Sequence, residues 1–192
     1  MSTAAPRPRR RPRARLFTNV MLALPVLATL AWIGWVVVFG GAEAREIYES
    51  FRVKAGAPAP NFALRDVKGE ATTLRRVTGD VPTLVVVMDP RCPHCHTEIE
   101  SVRSILAELR GGAPRVVLVS AGDSATLPEA AAKYPELPLY DDYTGALDRL
   151  GLKMVPALFT VHPDGRVRDV RVGVQTPQYL RSVLTTLSPR GA

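Results

Sequence analysis

Met88-Asp89-Pro90-Arg91-Cys92-Pro93-His94-Cys95-His96-Thr97-Glu98-Ile99-Glu100 contains both cysteines of a 192-residue chain, two positions apart. Before it, Thr83-Leu84-Val85-Val86-Val87-Met88 is apolar without alternation, the pattern of a strand buried on both faces of a sheet. After Pro93 the period changes: Ile99, Val102, Ile105, Leu106 and Leu109 recur at helical spacing, and Gly111-Gly112 stops the pattern. Cys92 is therefore expected at the mouth of a helix that follows a buried strand. Unpaired backbone N–H groups and the positive end of the helix dipole favour a thiolate there, which makes Cys92 the expected attacker. Cys95, about one turn further in, is expected to be shielded and placed to resolve a mixed disulfide formed on Cys92.

The residues between and around the sulfurs tune this pair. Pro93 lacks an N–H and presets the helical φ of the first turn. His94 and Arg91 can add positive charge beside Cys92. Whatever stabilises the thiolate stabilises the reduced form, and that makes the disulfide a stronger oxidant. His96 reads as a solvated imidazole, and Glu98 as a first-turn acid favoured by the helix dipole rather than as a proton carrier.

Other uses of two cysteines fit less well. A disulfide closing so short a loop removes little entropy from the unfolded chain. Tetrahedral zinc needs four ligands, and the three histidines form no H-x3-5-H pair. Copper delivery, with two thiolates and a distant imidazole such as His162, remains a sharper alternative, although His162 in His162-Pro163-Asp164-Gly165 reads more simply as a turn residue. No metal and no bound cofactor is expected, because the electrons reside on the sulfurs.

Working outward, Gly56-Ala57-Pro58-Ala59-Pro60 opens the body. Phe62-Ala63-Leu64 and Thr72-Thr73-Leu74 flank Val67-Lys68-Gly69-Glu70 as a short hairpin. Val116-Val117-Leu118-Val119 reads as a second buried strand, and the alanines between Ala125 and Tyr134 as a short helix. Leu137-Pro138-Leu139-Tyr140 follows as a short edge-like strand, and Thr144 to Leu150 as another short helix. Two strands, Pro156–Val161 and Val167–Val172, enclose the turn Pro163-Asp164-Gly165-Arg166. Thr176 as N-cap and Pro177 at the first helical position open a last helix through Leu187. This order predicts an α/β sandwich with a mixed sheet.

The front of the chain is of another kind. Six arginines (Arg7, Arg9, Arg10, Arg11, Arg13, Arg15) lie in the first fifteen residues, and without them the formal +7 falls to 19 basic residues against 18 acidic. The basicity is local, so it does not argue for a nucleic-acid partner. Leu16 to Phe39 is 24 residues without a formal charge, and a helix of that length is about 36 Å long, enough to cross a hydrocarbon core of about 30 Å with some tilt. Pro25 and Gly34 are tolerable in such a helix; Trp32 and Trp35 suit its far interface, and the arginines favour a cytoplasmic N-terminus. A cleaved secretory signal with Ala42-Glu43-Ala44 as its site, or a twin-arginine export signal, would equally place the body outside the cytoplasm. The expected organisation is a basic cytoplasmic tail over residues 1–15, a single-pass anchor in membrane lipid over 16–40, a tether over 41–55 and a folded domain over 56–188.

A buried strand, C-x-x-C opening a helix, and later Val155-Pro156 before an apolar strand and a P-D-G turn together resemble the thioredoxin-like superfamily, over about Gly56 to Leu187. That resemblance implies a mixed sheet flanked by helices and a cis bond at Pro156. It also implies a substrate-binding role for Val155 and Pro156, which would lie against the cysteines. Gly56-Ala57-Pro58-Ala59-Pro60-Asn61-Phe62 resembles the opening of the membrane-tethered, TlpA-like redoxins, including those serving cytochrome c maturation. Cys92-Pro93-His94-Cys95 is similar to the tetrapeptide of oxidising periplasmic disulfide donors. The Asp89–Cys95 stretch, Val119-Ser120-Ala121-Gly122-Asp123 and Gly173-Val174-Gln175-Thr176-Pro177-Gln178-Tyr179-Leu180 resemble the methylamine-utilisation MauD family, anchored proteins implicated in disulfide formation.

The resemblance thus implies a membrane-anchored, extracytoplasmic (periplasmic) thiol–disulfide oxidoreductase. Its partners would be client protein thiols or disulfides and a membrane redox partner that resets the pair. Two departures limit the transfer. Thioredoxin keeps a buried acid six residues before its first cysteine, where this chain has Val86, and Arg91 replaces a tryptophan. Asp89 stands where peroxidatic redoxins carry Thr or Ser, which argues against peroxidase activity.

Overall fold

The computed structural model describes residues 25–35, 52–109, 112, 114–152 and 154–188. The chain divides into two units, Met1–Ser50 and Phe51–Ala192. In the first, residues 25–35 form a helix, α1, whose side chains are exposed throughout. No helix among the described residues is long and apolar enough to cross a membrane; the expected tail and much of the expected 16–40 span lie outside the described residues.

Among the described residues the second unit holds seven strands, numbered along the chain. β3 (Thr83–Met88), β4 (Arg115–Ser120) and β5 (Leu139–Asp141) run parallel. β6 (Ala157–Val161) and β7 (Val167–Val172) extend one side antiparallel, and β1 (Ala63–Asp66) with β2 (Ala71–Thr73) extends the other. The order across the sheet is β2-β1-β5-β4-β3-β6-β7, the mixed, thioredoxin-like sheet expected from the sequence.

The uninterrupted apolar runs of β3 and β4 follow from two covered faces. Leu84, Val86, Met88, Val116 and Leu118 pack on one face beneath α3 (Pro93–Glu108), α4 (Leu127–Lys133) and α6 (Pro177–Leu187). Val85, Val87, Val117 and Val119 pack on the other, against Leu74, Leu147 and Phe159. Along α3, Cys95, Ile99, Val102 and Ile105 form the buried stripe that its helical period foretold. α6 starts as expected, with the Thr176 side chain accepting the Tyr179 N–H and Pro177 following it.

Three expectations are corrected. Leu74 does not prolong the hairpin: the Thr73 side chain accepts the Arg76 N–H and turns the chain into α2 (Leu74–Thr78). β5 is not an edge, because β1 pairs on its outer side through Arg65–Asp141 and Asp66–Tyr140. Val53, placed in the tether, is buried in the core among Leu64, Leu147 and Leu152, and the Arg52 N–H donates to the Leu150 carbonyl at 3.0 Å. The other short helix is α5 (Ala146–Arg149), where the Asp142 carboxylate accepts the Leu147 N–H.

Candidate functional site

The site lies at the end of β3 from which α3 departs. Asp89-Pro90-Arg91-Cys92 is a turn closed by the Cys92 N–H donating to the Asp89 carbonyl at 2.9 Å. The Asp89 carboxylate accepts the Arg91 N–H at 2.8 Å. Gly122, just past β4, lies against this turn: a Cβ there would sit 2.8 Å from Asp89 Oδ1 and 3.0 Å from Pro90 Cδ, so no larger residue fits without moving it. Cys92 then caps α3 with extended backbone, φ −85° and ψ 115°, and Pro93 occupies the first helical turn.

Both cysteines are free thiols, Cys92 half-buried and Cys95 buried. Burial pushes the Cys95 thiol up to about 12, with the Cys92 sulfur adding to the rise, so Cys95 is a thiol at neutral pH. The Val155–Pro156 bond is cis, and the Cys92 thiol points at the Val155 carbonyl oxygen 4.0 Å away. The Gly173 N–H donates to the Pro156 carbonyl at 2.7 Å, so the loop after β7 braces the proline from the other side. The structure thus brings Cys92, Cys95, Pro93, Val155 and Pro156 together. His94 is exposed on the first turn of α3. Arg91 is paired with Asp89 at 3.5 Å near solvent.

Two residues read as unremarkable surface groups are otherwise. Glu98 is not in the first turn of α3; it is completely buried in the second, with Oε2 accepting the Gln175 N–H at 2.9 Å and Oε1 without a hydrogen-bond partner among the described residues. Burial raises its pKa, and the Gln175 N–H only partly offsets that. The signal was legible: position 98 is three residues after Cys95 and four before Val102, on the buried stripe. His96 is half-buried, bonded to Tyr134 and to the Pro90 carbonyl. No local pattern announces that contact, because Tyr134 belongs to a segment 38 residues away.

His162 does not converge on the sulfurs. Val161 pairs with Thr83 at the start of β3, whereas Ala157 pairs with Val87 near its end. His162 is therefore separated from the Cys92 end by the length of β6, about 16 Å at 3.3 Å per residue. Among the described residues no cluster of three or more His, Cys, Asp or Glu could hold a metal.

This arrangement suits dithiol–disulfide exchange: an accessible sulfur at a helix mouth, a shielded sulfur one turn in, and the Val155 carbonyl facing the accessible sulfur. Known proteins show the same likeness. Bacillus subtilis (strain 168) thiol-disulfide oxidoreductase ResA is 21% identical over 182 residues, covering 92% of this chain and 96% of that protein. Two solved structures share the fold. MTB dsbF in its mixed oxidized and reduced forms has a TM-score of 0.55 at 24% identity, over 68% of this chain and 99% of that one. A secreted Mycobacterium tuberculosis disulfide oxidoreductase homologous to E. coli DsbE has a TM-score of 0.53 at 19% identity, over 66% and 96%. The AhpC/TSA family model matches residues 55–170, more than half of the chain and a stretch that holds both cysteines and the cis-proline, and the chain belongs to that family.

Proposed function

We propose that this chain is a membrane-anchored thiol–disulfide oxidoreductase working outside the cytoplasm, with Cys92 as the exchanging sulfur and Cys95 as the resolving one. The observation that carries the reading is the asymmetry of the pair. Cys92 is accessible at the cap of α3, and Cys95 is buried behind it with its thiol pushed up to about 12. Exchange begins when the Cys92 thiolate attacks a client disulfide, forming a mixed disulfide and expelling a client thiolate. Cys95, losing its proton, then attacks the Cys92 sulfur, which closes the Cys92–Cys95 disulfide and releases the second client thiolate. Oxidation of client thiols is the same path reversed. A client strand laid beside Val155 and Pro156 would present its sulfur to Cys92.

The enzyme class is supported by the relatives' activity, by family membership and by the sulfur geometry together. The anchor is supported by residues 16–39, by the arginines before them, and by α1, whose Leu27, Leu30, Trp32, Ile33 and Trp35 all face outward. A helix apolar on every side needs an apolar medium. The likeness to MauD favours forming disulfides in clients, and His94 inside the cysteine loop favours the same direction. Resemblance to tethered redoxins of cytochrome c maturation favours a reductant. The reduction potential of the Cys92/Cys95 couple separates the two: about −120 mV, as in strong donors, supports the oxidant, and about −270 mV or lower the reductant. Replacing Cys92 by Ser should abolish exchange with a model disulfide; undiminished turnover would refute the assignment.

A further inference from the structure

The bonds of His96 link the catalytic turn to α4, and nothing in the exchange chemistry itself requires them. Nε2 lies 2.9 Å from the Pro90 carbonyl oxygen and Nδ1 2.5 Å from the Tyr134 hydroxyl. A carbonyl only accepts, so Nε2 bears the proton; in the neutral ring Nδ1 is then the acceptor, and the Tyr134 hydroxyl donates to it. One tautomer satisfies both contacts. Tyr134 closes the C-terminal end of α4 and is fully buried. Burial pushes its hydroxyl up to about 12, so it stays a donor through the neutral range.

The atom that His96 holds belongs to the turn that leads into Cys92. Pro90 has no N–H, so its carbonyl is its one backbone hydrogen-bonding group, and it lies two residues before the attacking sulfur. Within the turn the Cys92 N–H donates to the Asp89 carbonyl and the Arg91 N–H to the Asp89 carboxylate, and the missing side chain of Gly122 makes room for it. His96 adds a side-chain contact from α3 to this turn, at the Pro90 carbonyl.

We infer that His96, oriented by Tyr134, is a positioning residue for thiol–disulfide exchange: it fixes the Asp89–Cys92 turn, and with it the Cys92 sulfur, at the mouth of α3. This rests on Cys92 being the attacking sulfur, and a Cys92→Ser variant that still exchanges would remove that premise independently of anything His96 does. The Tyr134 hydroxyl acts only through the ring, so the two residues form one series.

The test is a double-mutant cycle in the full-length protein, read as kcat and KM for exchange with a dithiol peptide. Tyr134→Phe should lower kcat about tenfold with KM unchanged, and His96→Ala at least as much, as expected for a small misplacement of a reacting atom. The double variant should be no slower than His96→Ala. His96→Gln, whose amide can still donate to Pro90, should recover most of the rate and lose its dependence on Tyr134. Imidazole nitrogen NMR should show the Nε2–H tautomer in the wild type and its loss of definition in Tyr134→Phe. Should His96→Ala not fold, Tyr134→Phe and the NMR signature decide alone. Wild-type kcat in Tyr134→Phe, effects that multiply in the double variant, or an Nδ1–H tautomer would each overturn the inference.

Discussion

An ionised carboxylate with no solvent access and one oxygen unpaired among the described residues is costly, so Glu98 is biased toward its protonated form. Because its folded-state pKa lies above the ordinary 4.5, the folded protein binds more protons than the unfolded chain between 4.5 and that raised value. Its contribution to stability is fully present below about 4.5 and is lost as pH rises through the folded value. Glu98→Gln should flatten that decline in urea-unfolding midpoints measured across pH, while the contribution of Asp141, raised by its own burial, stays in both proteins. Parallel curves for the two proteins would show that Glu98 titrates as if exposed. Cys95 makes a sharper case. With its thiol near 12, iodoacetamide at pH 8 should place a single adduct on the reduced protein, and peptide mapping should locate it on Cys92. Asp89 bears on the family label: its carboxylate is engaged by the Arg91 N–H where peroxidatic relatives offer a hydroxyl. Hydrogen peroxide should therefore not be consumed above the background of the reducing agent, and robust peroxide turnover would count against an exchange-only enzyme.

Elements reproduce their local signals where one segment suffices and depart where a neighbour decides. β3, β4, α3 and α6 follow from apolar runs, a 3.6-residue stripe and N-cap chemistry, all local. β5 has the composition of an edge strand but is enclosed by β1, a strand more than seventy residues earlier in the chain. α2 was hidden because the Thr73 side chain can cap a helix or lie in a strand, and the packing of Leu74 into the core selects the helix. Gly122 shows how a connection serves the site: its missing side chain admits the Asp89-Pro90 turn. Gly122→Ala should displace that turn and reduce kcat for exchange by about tenfold. Far-UV circular dichroism should stay native; unchanged kcat would mean that the turn yields without moving Cys92.

At the scale of the whole molecule, the proposed anchor and the folded unit make separate demands. The full chain expressed in bacteria should sediment with membranes and resist alkaline carbonate, and protease added to spheroplasts should reach the catalytic domain. Release into the soluble fraction would favour the cleaved-signal alternative, while protection from protease would reverse the proposed orientation.

The amino-acid sequence alone determined where the redox pair sits, that it opens a helix after a buried strand, and that a charge-free segment precedes the domain. Each of these depends on neighbours within a few residues, on periodicity, or on composition. Only the tertiary structure decided that Cys92 faces the carbonyl of Val155, 63 residues away, that Glu98 lies sealed beneath the Gln175 loop, and that His96 is held by Tyr134. Those contacts join segments remote along the chain, and their energies arise from burial and hydrogen-bond completion that exist only once the sheet and helices have packed.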